Sequence, residues 1–251
     1  MLAQLTSAAL RGIESYLVRV EVNLGSGLPS LSVVGLAEGA VREGKDRVWA
    51  ALQNTGYSIP PRKITVNLAP ADVRKEGSAF DLPLALGLLV CMGVVPPESL
   101  SRTAVVGELG LDGTLRPVRG AISMAACCKA VGVRSMILPA SNAPEAAVVG
   151  GLRVLGGQTL DQVVAHLKGE RVIPPTRPEP TGFLDGEGDP AVDLRDVQGQ
   201  AHVKRALEVA AAGGHNVLLF GPPGSGKTMV TRRLPGILPP PTLEEAVETT
   251  R

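Results

Sequence analysis

Eight consecutive residues constrain this chain more than any others: Gly221, Pro222, Pro223, Gly224, Ser225, Gly226, Lys227 and Thr228. A glycine, four free positions and then Gly-Lys-Thr is the spacing of a loop that wraps phosphate groups. The loop follows Val217, Leu218, Leu219 and Phe220, an apolar run that reads as a buried strand, and precedes a helix-compatible stretch. That is the strand–loop–helix setting the motif requires. Glycines at 221, 224 and 226 let the backbone turn tightly and aim successive N–H groups into one concavity. A helix starting near Gly226 would add its positive end to the same place. Lys227 is expected to reach the β- and γ-phosphates as a point charge, and the Thr228 hydroxyl to ligate Mg²⁺. Beyond the loop the sequence offers one helix, prolines that break it at 235 and 239–241, and a Thr242/Glu245 capping box before Arg251. The expectation is the opening of a nucleotide-binding domain without its later parts.

Composition narrows the rest. At 251 residues, 44% hydrophobic and 20% charged, the chain is globular, with room for one large domain or two small ones. One Trp, two Tyr and three Phe leave the core to Val, Leu, Ile and Ala, and supply no aromatic platform for single-stranded nucleic acid. A net charge of +1 gives no basic field, so nucleic-acid binding would have to come from local placement or assembly. Cys91, Cys127 and Cys128 have neither a metal-ligand spacing nor an even disulfide framework, and read as small core residues of a reducing compartment. His166, His202 and His215 form no metal-spaced pair and are expected to make local hydrogen bonds. The apolar run 82–95 contains a proline and two glycines and is too short to span a bilayer. The N-terminus lacks a secretory pattern, so the expected location is cytoplasmic, with no membrane partner.

Residues 174–180, rich in proline, give way to Gly182, Gly186 and Gly188 mixed with Asp185, Glu187 and Asp189. Stiff, then flexible and acidic, without apolar periodicity, this reads as a linker. We therefore divide the chain into a first domain at 1–168, a linker at 169–192 and a second domain at 193–251. In the first, alternation predicts strands at 16–22, 31–34 and 63–68, and a helix at 37–53 with Val41, Val48 and Leu52 on one face. Asp81 is expected to cap an apolar helix at 82–92. Strands at 105–111 and 115–118 flank the turn pair Asp112-Gly113. A small-residue helix at 121–130, strands at 135–138 and 153–155 and a helix at 160–167 complete it. This is an α/β or α+β layer fold with a mixed sheet. In the second domain Val203, Leu207 and Ala210 give a helical face that ends at Gly213-Gly214.

Residues 192–200 (Val-Asp-Leu-Arg-Asp-Val-Gln-Gly-Gln), 210–216 (Ala-Ala-Ala-Gly-Gly-His-Asn), the phosphate loop and 233–240 (Arg-Leu-Pro-Gly-Ile-Leu-Pro-Pro) together resemble the start of a magnesium-chelatase-like AAA+ module. The whole chain resembles the ComM/YifB type, in which a Lon-protease-like domain precedes that module. The resemblance implies ATP and Mg²⁺ as cofactors and places Gly199 and Gln200 near the adenine. It also implies a hexameric, ATP-driven motor acting on branched DNA, with copies of itself and DNA as partners of the full-length ring. The fold class it implies is a Lon-protease-like domain with a mixed sheet, followed by the truncated start of a P-loop AAA+ domain. The later acidic strand end, sensors, arginine finger and lid of such a module are not in this sequence, so weak nucleotide binding and no hydrolysis are expected of the chain alone.

The first domain invites a test for peptidase chemistry. Residues 75–81 (Lys-Glu-Gly-Ser-Ala-Phe-Asp) resemble the segment that carries the nucleophilic serine of Lon proteases, but Ala79 stands at the serine position and Ser78 one residue earlier. Residues 107–120 resemble the approach to the dyad lysine, and Ile122 stands at the lysine position, with no lysine between Arg116 and Cys128. A serine without an amine to take its proton is not a competent nucleophile, so a non-proteolytic domain is expected, with no catalytic residue in this chain. Arg232 and Arg233 are read as a solvated pair with a possible phosphate or DNA contact. Two alternatives stand beside the motor reading: a magnesium or cobalt chelatase motor subunit, and a truncated, non-enzymatic binding or assembly module.

Overall fold

The computed structural model describes residues 1–35, 39–75, 77–178 and 193–239, with Thr242, Glu245, Glu248 and Thr249; for residues 40 and 42 only the backbone is described. The chain divides into two units, Met1–Glu179 and Pro180–Thr249. The first runs β1 (Leu2–Arg11), β2 (Glu14–Gly25), β3 (Ser30–Val34), α1 (Gly39–Asn54), β4 (Lys63–Ala69) and α2 (Asp81–Cys91). It continues through β5 (Thr103–Val105), β6 (Glu108–Leu109), β7 (Leu115–Arg116), α3 (Ala121–Ala130), β8 (Ser135–Pro139), α4 (Ala143–Ala147), β9 (Arg153–Gly157) and α5 (Leu160–Leu167).

Seven strands form one mixed sheet in the order β3-β4-β2-β1-β5-β8-β9, and β6 pairs with β7 in a separate hairpin. β2 runs antiparallel to both β1 and β4, whereas β3–β4, β1–β5, β5–β8 and β8–β9 are parallel. Successive side chains of a strand point to opposite faces, and here both faces are covered. Val105, Ile137 and Leu155 join a core with α1, α2 and α5. Their neighbours Ala104, Met136 and Val154 join a second core with α3 and α4. Every residue of α2 is buried, so this helix has no polar face. Each of its fully buried leucines contributes about 1.5–3 kcal/mol relative to exposure. A Cβ on Gly87 would lie 2.5 Å from Val22 Cγ2, which shows how closely α2 approaches β2.

The structure departs from sequence expectation at several places in this unit, among them α4, which was not foreseen, and β7, shorter than the strand expected at 115–118. β1 was not foreseen: its buried positions include Ala3, Ser7, Ala8 and Ala9, whose small side chains blur the alternation. The helix expected at 37–53 is present as α1, and the part of that expectation at residues 37 and 38 lies outside the described residues. The single strand expected at 105–111 is broken, because Val106 N–H donates to Ile137 O and Gly107 N–H to Ala79 O, bending the chain between β5 and β6. Asp81 does not cap α2. Phe80 occupies that position, and the Asp81 carboxylate instead accepts from Arg47 Nε at 2.8 Å, Arg47 Nη2 at 3.2 Å and the Leu109 N–H at 3.3 Å. Burial pushes the Asp81 carboxyl up to about 6, with Arg47 and the Leu109 N–H pulling the other way. Residues 170–176 are tied to the first unit: Ile173 is buried, its N–H donates to His166 Nδ1 at 3.0 Å, and Thr176 N–H donates to Val154 O.

The second unit contains α6 (Ala201–Gly213) and the short α7 (Lys227–Thr231). Leu194, Val197, Leu207 and Val230 form a small core, with Val203, Leu234 and Ile237 packed on it. Gly214 closes α6 in the left-handed conformation at φ 61°. The strand expected at 217–220 does not form. Leu218 is 86% exposed and Phe220 90% exposed, and no other described segment of this unit is a strand. A strand satisfies its backbone only by pairing, and the segment finds no partner here.

Candidate nucleotide site

The loop that carries the phosphate-binding spacing is built as its glycines dictate. Gly224 and Gly226 adopt φ of 79° and 83°, a region that residues with a Cβ avoid. Ser225 N–H closes the turn onto Pro222 O at 3.3 Å. Among the described residues, the N–H groups of Gly224, Gly226, Lys227 and Thr228 donate to nothing, which leaves a run of free donors along the loop and into the first turn of α7. The loop itself is exposed through residues 221–224.

Lys227 reaches back across this loop. Its ammonium donates to Gly221 O and Pro222 O, each at 2.9 Å, and to Ser225 Oγ at 3.3 Å. An anion can recruit this ammonium from the two carbonyls and the hydroxyl, since it attracts the positive charge with a full opposite charge where those groups offer only dipoles. Thr228 is exposed, and its hydroxyl makes no hydrogen bond among the described residues. Free N–H groups, a lysine folded over them and an open hydroxyl beside them fit the triphosphate of a nucleotide with its magnesium ion. The helix is a weaker contributor than the sequence implied. α7 has five residues, so little dipole accumulates behind the loop.

Gln200 joins the site from a distant point in the sequence. It precedes α6 with φ 55°, in the left-handed region, and its Nε2 donates to Ser225 O at 3.4 Å. Gly199, at φ 72°, makes the preceding turn. Sequence reasoning missed Arg233 as an organising residue. Its Nε donates to Asp193 O at 3.0 Å and its Nη1 to Met229 O at 2.9 Å, so it ties the start of the unit to α7. Nothing in the sequence distinguished it from Arg232. Beside Lys227 and Thr228 opens a cavity of about 600 Å³, with Leu207, Ala210, Val217 and Leu219 among its walls.

In the first unit, the two segments expected to hold a peptidase dyad do meet. Ser78, Ala79, Val118, Arg119 and Met124 line one cleft of about 490 Å³. The Ser78 hydroxyl donates to the Glu108 carboxylate, and Glu108 also lies 3.8 Å from Arg116. Ile122 is buried, with its N–H donating to Glu145 Oε1 at 3.1 Å. Among the described residues no lysine lines this cleft; the buried Lys75 donates to Pro70 O and Val73 O. Cys91 and Cys128 are buried and Cys127 is half-buried, all three as free thiols. Among the described residues no cluster of His, Cys, Asp or Glu could hold a metal ion, and no helix is long and apolar enough to cross a membrane.

Two family models match the chain. One, described as subunit ChlI of Mg-chelatase, covers residues 20–142. The other, described as magnesium chelatase, subunit ChlI, covers residues 193–251. The competence protein ComM of Haemophilus influenzae is 43% identical over 249 residues, 99% of this chain and 49% of that protein. The uncharacterized protein YifB of Escherichia coli is 45% identical over 244 residues, 97% of this chain and 47% of that protein. Lon protease 2 of Bacillus subtilis is 24% identical over 163 residues, 64% of this chain and 27% of that protein. The chain spans about half the length of the ComM and YifB relatives it matches.

Proposed function

This chain belongs to the ComM/YifB-type family of magnesium-chelatase-like proteins, and on that premise we propose that its second unit binds Mg-ATP as part of an AAA+ ATPase. The observation that carries the reading is the Lys227 ammonium folded over a loop whose next N–H donors are free. Bound Mg-ATP would supply a phosphoanhydride whose cleavage drives movement. The chain's own residues bind and orient it. Lys227 exchanges the carbonyls of Gly221 and Pro222 for phosphate oxygens, and the N–H groups of Gly224, Gly226 and Thr228 donate to the same anion. The Thr228 hydroxyl would hold Mg²⁺. Gln200, with Gly199, would border the nucleotide through its hold on Ser225.

For the whole protein, of which the matched relatives are about twice this length, we propose a ring of identical subunits that moves DNA. The name of the Haemophilus relative, competence protein ComM, and the family resemblance support that role. A net charge of +1 gives this chain no basic field, so DNA contact would depend on local placement of charge or on assembly. The family-model descriptions favour a second reading, a chelatase motor subunit. Hydrolysis stimulated by DNA supports the first, and hydrolysis stimulated by a tetrapyrrole-enzyme partner supports the second.

The test is titration of a fluorescent ATP analogue with Mg²⁺ against this chain and against Lys227→Ala, followed by hydrolysis in the full-length protein. The expected result is binding weakened about tenfold or more in Lys227→Ala, with lysine-dependent turnover in the longer chain. Equal binding by both forms would remove the loop from the site.

A further inference from the structure

The parallel strands β5, β8 and β9 all begin at one end of the first unit's sheet, and an arginine stands at the start of each. Arg102 precedes β5, Arg134 precedes β8 and Arg153 opens β9. Backbone hydrogen bonds set them side by side: Arg134 N–H donates to Arg102 O at 2.9 Å, and Arg153 N–H to Arg134 O at 3.0 Å. Neighbouring strands lie about 4.8 Å apart, so the three share roughly 10 Å of sheet end. All three are exposed, and none makes an ion pair or a side-chain hydrogen bond among the described residues. Arg102 holds φ of 54°, in the left-handed region where a residue with a Cβ is uncommon. Among the described residues only Arg102 and Gln200 do so without being glycine, and Gln200 borders the nucleotide loop.

The last turn of α5 comes to the same end. Burial holds the His166 imidazole below its ordinary value, and the nearby Arg153 charge pushes it the same way. Arg171, whose N–H closes onto Ala165 O just past that helix, adds a fourth exposed arginine. The carboxylates around this end are otherwise placed. Glu170 is paired with Lys168, Glu21 accepts from Gln4 Nε2 and Asn67 Nδ2, and Glu98, in the turn before Arg102, joins no ion pair among the described residues. Like charges this close repel one another, and anions between them relieve the repulsion. Tyr16, Trp49 and Tyr57 pack against the core of α1 and α2, and Phe80 is buried in it. The described part of this unit therefore has no aromatic platform for unstacked bases. The arrangement fits a ladder of phosphates instead: guanidinium groups pair with phosphate in two-pronged fashion, and duplex DNA carries one charge per about 1.7 Å of axis.

On the reading that the assembled protein moves DNA, we propose that this end of the first unit is a surface on which it holds the duplex. Arg102, Arg134 and Arg153 meet successive phosphates, and Arg171 meets the backbone on the flank. The contact is independent of base sequence, because every group in it meets the phosphate backbone and none reaches a base edge. The nucleotide loop of the second unit takes no part in it.

Fluorescence anisotropy of a labelled duplex of about 20 base pairs, titrated with the 251-residue chain from about 20 to 100 mM salt, tests it. Three to four phosphate contacts predict a slope of log affinity against log salt of about −3 to −4. Arg102→Gln/Arg134→Gln/Arg153→Gln is expected to bring the slope to about −1 and to weaken binding at the lowest salt more than tenfold, equally for AT-rich and GC-rich duplexes. Arg11→Gln/Arg119→Gln removes two arginines from the opposite end of the sheet, where β1 finishes, and should change the slope by less than about 0.5. Trp49 fluorescence verifies the folding of both variants. No duplex binding by the unsubstituted chain overturns the proposal, as does an equal loss per arginine in the two variants. So does displacement of the duplex by excess Mg-ATP, which would put it in the nucleotide loop, or equally tight binding of polyglutamate, which would make this a site for acidic protein. DNA-stimulated hydrolysis by the full-length protein separates the two readings. Stimulation with unchanged slopes in the triple variant overturns the surface and leaves the DNA-moving reading intact. Arginine-dependent binding without stimulation removes that reading and leaves the surface.

Discussion

Replacing Arg47 by Met removes a charge and keeps most of the apolar stem, and its effect can be worked out in advance. Arg47 on α1 holds Asp81 at the start of α2 through two hydrogen bonds of 2.8 and 3.2 Å. The Asp81 side chain is 1% exposed. Burial moves its carboxyl from an ordinary 3.8 up to about 6, despite Arg47 and the Leu109 N–H. A folded-state value above the unfolded one means that the native protein binds this proton more tightly. The stability it contributes is complete below about pH 4 and is lost as pH rises through about 6. At about 1.4 kcal/mol per pH unit, the displacement corresponds to about 3 kcal/mol. At pH near 7.5 Arg47→Met leaves a buried, unpaired carboxylate and is expected to cost about 3–5 kcal/mol. At pH near 5 Asp81 is largely protonated in both proteins, and the cost should fall to about 1–2 kcal/mol, that of the lost hydrogen bonds. Urea unfolding followed by fluorescence of Trp49, the chain's one tryptophan, reads the first unit selectively, because Trp49 packs against its core. The Arg47→Met/Asp81→Asn double variant should recover part of the loss at the higher pH. Equal destabilisation at both pH values would refute the argument that the ionised carboxylate is the source of the cost.

Gly87→Ala should destabilise the first unit by about 1–2 kcal/mol in the same assay: overpacking against Val22 Cγ2 at 2.5 Å and Leu5 Cδ1 at 3.2 Å outweighs the better helix propensity of alanine. A stabilised variant would show that α2 can lift from β2 without loss. Phe220→Ser removes a ring that is 90% exposed, so the thermal transition by circular dichroism should shift by less than about 0.5 kcal/mol while light scattering at high concentration declines. Loss of α6 helicity in that variant would mean that Phe220 is packed after all.

Local pattern alone determined much of this protein. β2, β4 and α5 were legible because their buried positions repeat at the period of their backbone, as with Val18, Val20, Val22 and Leu24 along β2. The loop at 221–228 was legible because glycine spacing and a following lysine are written in consecutive residues. What needed the fold was everything that depends on a partner distant in sequence. Asp81 looked like a helix cap, and Arg47, from another helix, takes its carboxylate. Residues 217–220 have a strand's composition, but composition cannot provide the neighbour that a strand must pair with. β1 was hidden because its interior is alanine and serine, and it became visible only beside β2. Where β1 meets β5 could not be read from sequence at all. The two pair only at Thr6 opposite Ala104, because β5 is three residues long where β1 is ten, and relative strand length is settled only when the sheet is assembled.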